Sequence, residues 1–305
     1  MRNRWFAGFI LLTAFVLVLS SLVALLSAAT LAAAPAPLLQ GARGGQQAAP
    51  ALPTPRLPDG TVNLGRVPGE KGIWGLPYIT NFANVTVGRP AGNPQRGGGG
   101  PRGGAASEPW VPFQKWSAAV YDYNSNNESK YDPEGYCLPP GGPRAFGTPY
   151  PMEIVQQPEH KRIFIIFEGG AHIWRDIHMD GRPHPKGDEI KGQTWNGHSV
   201  GRWEGDTLVV DVVGFNEQTW LDYFGHPHTD QLHVVERWTR PNKNTLHYEA
   251  TIDDPGAYTK PWTVAWDIPW RPNGEMQEYI CQENNQYMID LTDDFGQPLL
   301  TPTKK

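Results

Sequence analysis

Nine histidines are unevenly spread over the 305-residue chain, and some fall at spacings that could support chemistry. "GHPHTDQLH" sets His226, His228 and His233 close together. On an extended backbone, residues two apart point the same way, so His226 and His228 could offer two imidazoles to one divalent metal. A third ligand would come from His198, His172, Asp222 or a glutamate. Two features weaken this metal reading. Pro227 stands between the two rings and favours a loop, and Leu232 and His233 occupy the place where a completing glutamate is usual. Loop histidines bonded to backbone or solvent are the plainer alternative.

Carboxylates give a second candidate. In "QLHVVERWTR", Leu232, Val234, Glu236 and Trp238 alternate with His233, Val235, Arg237 and Thr239, which puts Glu236 in phase with an apolar face. Glu168 ends the run "RIFIIFE" and is expected to point inward too. A buried carboxylate needs a cation or a proton. Arg175, Arg182 and Arg202 are the guanidiniums at hand, and a structural Glu–Arg pair competes with a general base at Glu236 or Glu168. "GHSVG", residues 197–201, fits the G-x-S-x-G pattern of a hydrolase nucleophile. That elbow needs a buried strand before the serine and a helix after it. Polar "KGDEIKGQTWN" precedes Ser199 and β-branched "TLVVDVV" follows it, so we do not read Ser199 as a nucleophile. Among twelve tryptophans, Trp195 and Trp220 lie in Asn/Gly/Asp-containing segments and are placed to stack on a sugar or aromatic ligand. Arg175, His198, Trp220 and Asp222 form the expected ligand-binding set.

The elements that must position these residues are short β-runs divided by turns. "RIFIIFE" and "AHIWRDIH" flank Gly169-Gly170, and "VGRWE" and "TLVVDVVGF" flank Gly205-Asp206. The second hairpin sets Glu204 opposite Thr207, Trp203 opposite Leu208 and Arg202 opposite Val209. "QLHVVERWTR" and "TLHYEATID" flank "PNKN", and "WTVAWDIPW" and "EMQEYIC" flank "RPNG". With no helix-period segment between them, these runs predict an all-β fold. The expected form is an antiparallel meander closing into a lipocalin-like barrel or a sandwich, with an extended N-terminal segment and room for one small ligand. A brief helix is expected near "VPFQKWSAAVYDYN".

Arg2 and Arg4, the apolar run from Trp5 to Leu26 and the small residues after it predict a cleaved signal peptide over 1–34, against an uncleaved anchor. Residues 35–58 read as a linker, and 59–109 as an irregular segment holding a disordered Gly/Pro/Arg-rich insertion at 88–109. The β-barrel domain is expected over 110–290, with a tail at 291–305. Subtracting Arg2 and Arg4 from 26 Lys and Arg, against 31 Asp and Glu, leaves a net charge of about −7. That balance, with no basic stripe, argues against nucleic acid as a partner. In the oxidising compartment that export implies, Cys137 and Cys281 are expected to form a disulfide rather than a metal site. No later apolar run is long enough to span a membrane.

"PDGTVNLGRV", "CLPPGGPR", "IWRDIHMDGRPHP", "GHSVGRWEGDTLVVDVVGFNEQTWLD", "GHPHTDQLHVVERW", "TIDDPGAYTKPWTV" and "EYICQEN" together resemble a family of exported bacterial proteins. The likeness runs from about residue 57 to 285. It implies secretion and a shared β-rich domain, and it carries no activity. The Gly/Arg-rich insertion and the "EGGAHIW" hairpin depart from the pattern and bear on loop lengths. Three functions follow as expectations for a periplasmic or secreted protein. The first is binding of a small apolar, aromatic or sugar-like ligand in the lumen. The second is a metal-dependent hydrolase or lyase built on the histidine cluster and a lumenal glutamate. The third is a structural module of the cell envelope.

Overall fold

The computed structural model describes residues 51–90, 104–127, 130–170, 174–190 and 194–283. The expected signal peptide, residues 91–103 of the Gly/Arg-rich insertion and the tail lie outside the described residues.

Among the described residues, nine strands follow one another around a single sheet that closes on itself: β1 (Ile73–Trp74), β2 (Met152–Gln157), β3 (Arg162–Phe167), β4 (Trp174–His178), β5 (His198–Glu204), β6 (Thr207–Val213), β7 (His233–Asn242), β8 (Thr245–Asp253) and β9 (Trp262–Arg271). The all-β meander is as expected, but the ring is not a regular barrel. Its neighbours are antiparallel except β4 and β5, which run parallel over only Ile177↔Ser199 and His178↔Val200. The β5–β6 register is the one that Gly205-Asp206 dictates, with Trp203↔Leu208 and Glu204↔Thr207. Gly169-Gly170 does not make a two-residue loop. β3 and β4 pair through Ile166↔Trp174, so the connection is longer, and its residues 171–173 lie outside the described residues.

The last expected hairpin does not form. β9 pairs instead with β1, Trp74↔Trp270, and the "EMQEYIC" segment is not a strand. The segment expected to be irregular therefore supplies the closing strand and part of the core. Trp74 is fully buried, donates from Nε1 to Leu64 O at 2.7 Å and packs edge-on against Trp270. The end of the expected linker also docks on the ring, through Arg56–Asp206 at 2.7 Å and Thr54 Oγ1 donating to Arg240 O.

Inward positions alternate along every long strand, as the period of two requires. β7 buries Val234, Glu236, Trp238 and Arg240, and β8 buries Leu246, Tyr248, Ala250 and Ile252. The interior is packed rather than hollow. The buried 3-10 turn Gly142–Gly147 inserts Phe146 among Trp238, Tyr248 and Phe167, at centroid distances of 4.7, 4.9 and 5.3 Å. Trp266 extends the stack at 4.8 Å from Tyr248. Helix α1 (Lys115–Asn126) lies across the loops at 222–226 and 254–258, through Asn124 Nδ2 to Gly225 O and Ser117 Oγ to Ala257 O. A Cys137–Cys281 disulfide is present, with Cα atoms 5.6 Å apart.

Candidate functional site

The parallel seam has a chemical consequence. Among the described residues, β4 and β5 pair at Ile177↔Ser199 and His178↔Val200, at the far end of β4. A cleft of about 360 Å³ opens there, lined by Trp174, Arg175, Asp176, His178, Ser199 and the run from Thr194 to His198. Arg175 and Ser199 are buried on the inner face, whereas Trp174, Asp176, His178 and His198 alternate with them on the outer face. Residues of both faces line one cleft, so it passes into the wall of the ring. Its second side is anchored on β6's end, with Asn216 N donating to Thr194 O at 2.8 Å. Gly197 has φ +69°, and a Cβ there would stand 2.6 Å from Val212, so glycine lets the chain turn into His198 against β6.

Three neighbouring β4 side chains leave buried polar atoms without a hydrogen bond among the described residues: Arg175 Nη2, Asp176 Oδ1 and His178 Nδ1. Arg175 is otherwise fixed. Its Nη1 donates to Glu236 Oε1 at 2.8 Å and its Nε to Ser199 Oγ at 3.0 Å, and its guanidinium lies over Phe146 at 5.6 Å. Glu236 is 1 % exposed and also accepts from Tyr248 OH and Trp238 Nε1. The in-phase glutamate is thus held in a salt bridge inside the ring, the Glu–Arg pair that the sequence set beside a general base. Ser199 sits within a strand with its hydroxyl accepting from arginine, so it is no nucleophile elbow.

Outside the wall, His184 reaches over from the 179–197 connection. Its Nδ1 lies 2.8 Å from His198 Nδ1 and its Nε2 lies 2.8 Å from Asp211 Oδ1. His233 Nε2 meets the other oxygen, Asp211 Oδ2, at 3.2 Å. The His178 and His198 rings are 5.2 Å apart. Burial, and then the neighbouring His184 ring, hold the His198 pKa below its ordinary value. Burial lowers His178 likewise, against the pull of Asp176.

His226 and His228, the expected metal pair, face different partners. His226 is fully buried, with Nδ1 2.7 Å from Asp222 Oδ2 and Nε2 3.4 Å from Glu108 Oε2. Tyr121 OH and Asn81 Nδ2 hold Glu108 Oε1 at 2.8 and 2.7 Å. Burial opposes charge on His226, but Asp222 and then Glu108 outweigh it and raise its pKa to about 9. His228 Nδ1 donates to Thr229 O at 3.1 Å and its Nε2 accepts from Thr219 Oγ1 at 2.6 Å, while burial holds its pKa below the ordinary value. Among the described residues, no three His, Cys, Asp or Glu side chains are grouped to hold a metal ion.

Of the expected ligand-binding set, Arg175 and His198 share the cleft, and Trp220 and Asp222 do not line it. Asp222 instead organises its own loop, accepting from Phe82 N at 2.6 Å and Gly225 N at 2.9 Å. Glu168 is out of phase with the buried Ile163, Ile165 and Phe167, and it accepts from Gln277 N at 2.8 Å rather than facing inward. Asp176, His184 and Asp211 were not legible as site residues. Asp211 interrupts the apolar run "TLVVDVV" at an outward position, which was the available signal. Trp195, expected to stack on a ligand, does line the cleft. A second cavity of about 380 Å³ lies elsewhere, among Tyr78, Tyr150, Tyr223, Tyr279 and the buried Arg144–Asp132 pair.

The site is therefore a wall cleft backed by a buried ion pair and flanked by His178 and His198, whose pKa values burial lowers. No family model, curated protein or solved structure matches the chain, so its functional reading rests on this geometry.

Proposed function

We propose that this is an exported protein that binds a small molecule in the β4–β5 cleft, one with a carbonyl or hydroxyl oxygen and a flat aromatic or sugar-like face. The observation that carries the reading is the set of unpaired buried atoms. Leaving a buried donor or acceptor unmade costs about 1–3 kcal/mol, and three stand together here. Arg175, Asp176 and His178, which carry these atoms, line the cleft, and Trp174 and Trp195 supply apolar walls. Because Glu236 already balances the Arg175 charge, a neutral oxygen suits the site as well as an anionic one. Because the interior is packed, this reading seats the ligand in the wall rather than in the lumen, where the sequence led us to expect it. The disulfide and the basic–apolar–small pattern of residues 1–34 support export.

The test is titration with 2-hydroxyacetophenone, methyl glucoside and glucuronate, followed through the indole N–H signals of Trp174 and Trp195. At least one should give saturable shifts confined to the cleft. The paired change Arg175→Met with Glu236→Leu, which strands no charge, should weaken that binding at least tenfold. No saturable shift at millimolar concentration would sink the proposal. The polar clusters would then be loop fasteners of a structural module.

A further inference from the structure

We propose that the cavity of about 380 Å³ among Tyr78, Tyr150, Tyr223 and Tyr279 is an aromatic cage for a small quaternary ammonium compound, with Glu134 as its counter-charge. It shares no lining residue with the β4–β5 cleft and stands or falls apart from it. Charge gives the sign of the ligand. Arg144 is the only cation among the described lining residues, and it faces two carboxylates. Its Nη1 and Nη2 donate to Asp132 Oδ1 and Oδ2 at 2.8 and 2.6 Å, and Nη2 also lies 2.7 Å from Glu134 Oε2. One guanidinium against two carboxylates leaves a negative charge in excess. Asp132 takes both arms of the guanidinium fork, so the excess lies with Glu134, the more open of the two at 20 % side-chain exposure against 5 %. Burial raises the Glu134 pKa even with Arg144 in contact, and a second positive charge beside it is what that carboxylate lacks.

The walls are built from segments distant in the chain. Ile79 N donates to Gly147 O at 2.7 Å and Phe224 N to Thr80 O at 3.1 Å, which brings Tyr78 and Tyr223 within 6.2 Å of each other. The second pair is Tyr150 and Tyr279, 4.8 Å apart, with Tyr150 OH donating to Tyr279 OH at 3.0 Å. Tyr150 lies against Gly169, where any Cβ would run into its ring, so glycine is needed for that placement. Tyr279 belongs to the stretch after β9. That stretch is pinned by Gln277 N donating to Glu168 Oε2 at 2.8 Å and by the Cys137–Cys281 disulfide, whose second cysteine lines the cavity. Tyr78 is 57 % exposed and Tyr279 38 %, so both rings can be reached from solvent.

Ring faces decide which cation fits. Aromatic rings attract positive charge through their quadrupole, and the attraction grows as water is excluded. A primary ammonium carries three N–H donors that each need an acceptor. The hydroxyls of Tyr150 and Tyr279 are already turned on each other, so acceptors are few here and faces are many. A trimethylammonium group has no N–H to satisfy and presents its charge through methyl groups that pack on rings. The volume suits that group with a short tail. A betaine, which brings its own carboxylate towards Glu134, suits the cavity less well than choline. The trimethylammonium group can come from a free compound or from a lipid headgroup.

The test follows the ring-proton signals of Tyr78, Tyr150, Tyr223 and Tyr279 in the disulfide-bonded protein during titration with choline. We expect saturable shifts at millimolar choline or below, with contacts between its N-methyl protons and these rings. The uncharged isostere of choline, carbon in place of nitrogen, should bind roughly tenfold more weakly, and ammonium chloride more weakly still. Glu134→Gln should weaken choline about fivefold and leave the isostere unmoved. It strands no charge, because Arg144 keeps Asp132. Tyr78→Leu, at an exposed ring, keeps an apolar side chain but loses the aromatic face, and should also cost about fivefold. Replacing both cysteines by serine should weaken choline by loosening Tyr279. Phosphatidylcholine vesicles separate the two sources once choline is seen to bind. Co-sedimentation that choline competes away assigns a lipid headgroup, and its absence assigns a free compound. An isostere or ammonium ion that binds as tightly as choline overturns the cage. So does choline affinity unchanged in both Glu134→Gln and Tyr78→Leu, or the lack of any saturable shift at the four rings.

Discussion

His226 and His228 are two residues apart and both are buried, yet their neighbours drive them in opposite directions. His228 meets a hydroxyl and a carbonyl, and burial outweighs the pull of the Thr229 carbonyl and of Asp254 and lowers its pKa. His226 lies between Asp222 and Glu108, with Tyr121 at 4.2 Å and Phe113 stacked at 5.3 Å. Two carboxylates outweigh the desolvation of one imidazolium, and burial fails to raise Asp222 for the same reason. The folded pKa of His226, about 9, lies above the unfolded value near 6.5. Its contribution is therefore complete below pH 6.5 and is lost as pH rises through 9. That shift corresponds to about 3 kcal/mol at full linkage. Urea unfolding from pH 6 to 10 should show this loss, and His226→Gln should flatten the curve while lowering stability at pH 6. A wild-type profile that stays level from pH 6.5 to 10 would remove the imidazolium from the account. The sequence grouped His226 with His228 because spacing alone cannot show what each ring faces.

At the scale of elements, hairpins with a strong turn signal were legible, and the closures between distant segments were not. Gly205-Asp206 set the β5–β6 register because a two-residue loop leaves one pairing open. The alternation of Val234, Glu236 and Trp238 likewise put Glu236 inside. β1 has only two residues and so no periodicity to read, although it joins β9 to β2. The "RPNG" turn looked like another hairpin, but β9 finds its partner in β1, far back along the chain. The β4–β5 pairing is hidden for a related reason. A parallel seam depends on where the 179–197 connection returns, and that lies in tertiary packing rather than in local pattern. Half of the site followed from legible elements, Arg175 and His198, and the half carried across that seam did not. The closing strand gives a direct test. Trp74 fills the β9–β1 junction, with Trp270 beside it and the Arg240 guanidinium 4.8 Å from its ring. Arg240 in turn donates to Asn63 O and Gly65 O, tying the segment before β1 to β7. Trp74→Ala should cost about 3–5 kcal/mol. Amide exchange should quicken first in β9 and β2, the two strands that β1 joins. Loss spread evenly over all nine strands would mean that the ring opens as one unit.

The whole molecule is closed twice, once by the β9–β1 pairing and once by a covalent bond. Cys137–Cys281 spans 144 residues, enclosing β2 to β9, and its second cysteine follows the segment that does not become a strand. That segment carries Tyr279, whose ring lies 4.8 Å from Tyr150 beside the tyrosine-lined cavity. The bond fastens in place a length of chain that the sheet leaves unpaired. Its contribution to stability acts through the unfolded chain, where a loop of this length loses entropy worth about 5 kcal/mol. The folded ring keeps its own hydrogen-bonded closure without it. Replacing both cysteines by serine should therefore lower stability by about that amount while leaving the strand signals of the folded state unchanged. The denaturant slope m should rise, because the unfolded chain expands when the cross-link is gone and exposes more surface. A loss below about 1 kcal/mol with m unchanged would show that the unfolded chain is already compact between these points. Altered strand signals would show instead that the bond holds the ring itself, with the β9–β1 pairing too weak to close it alone.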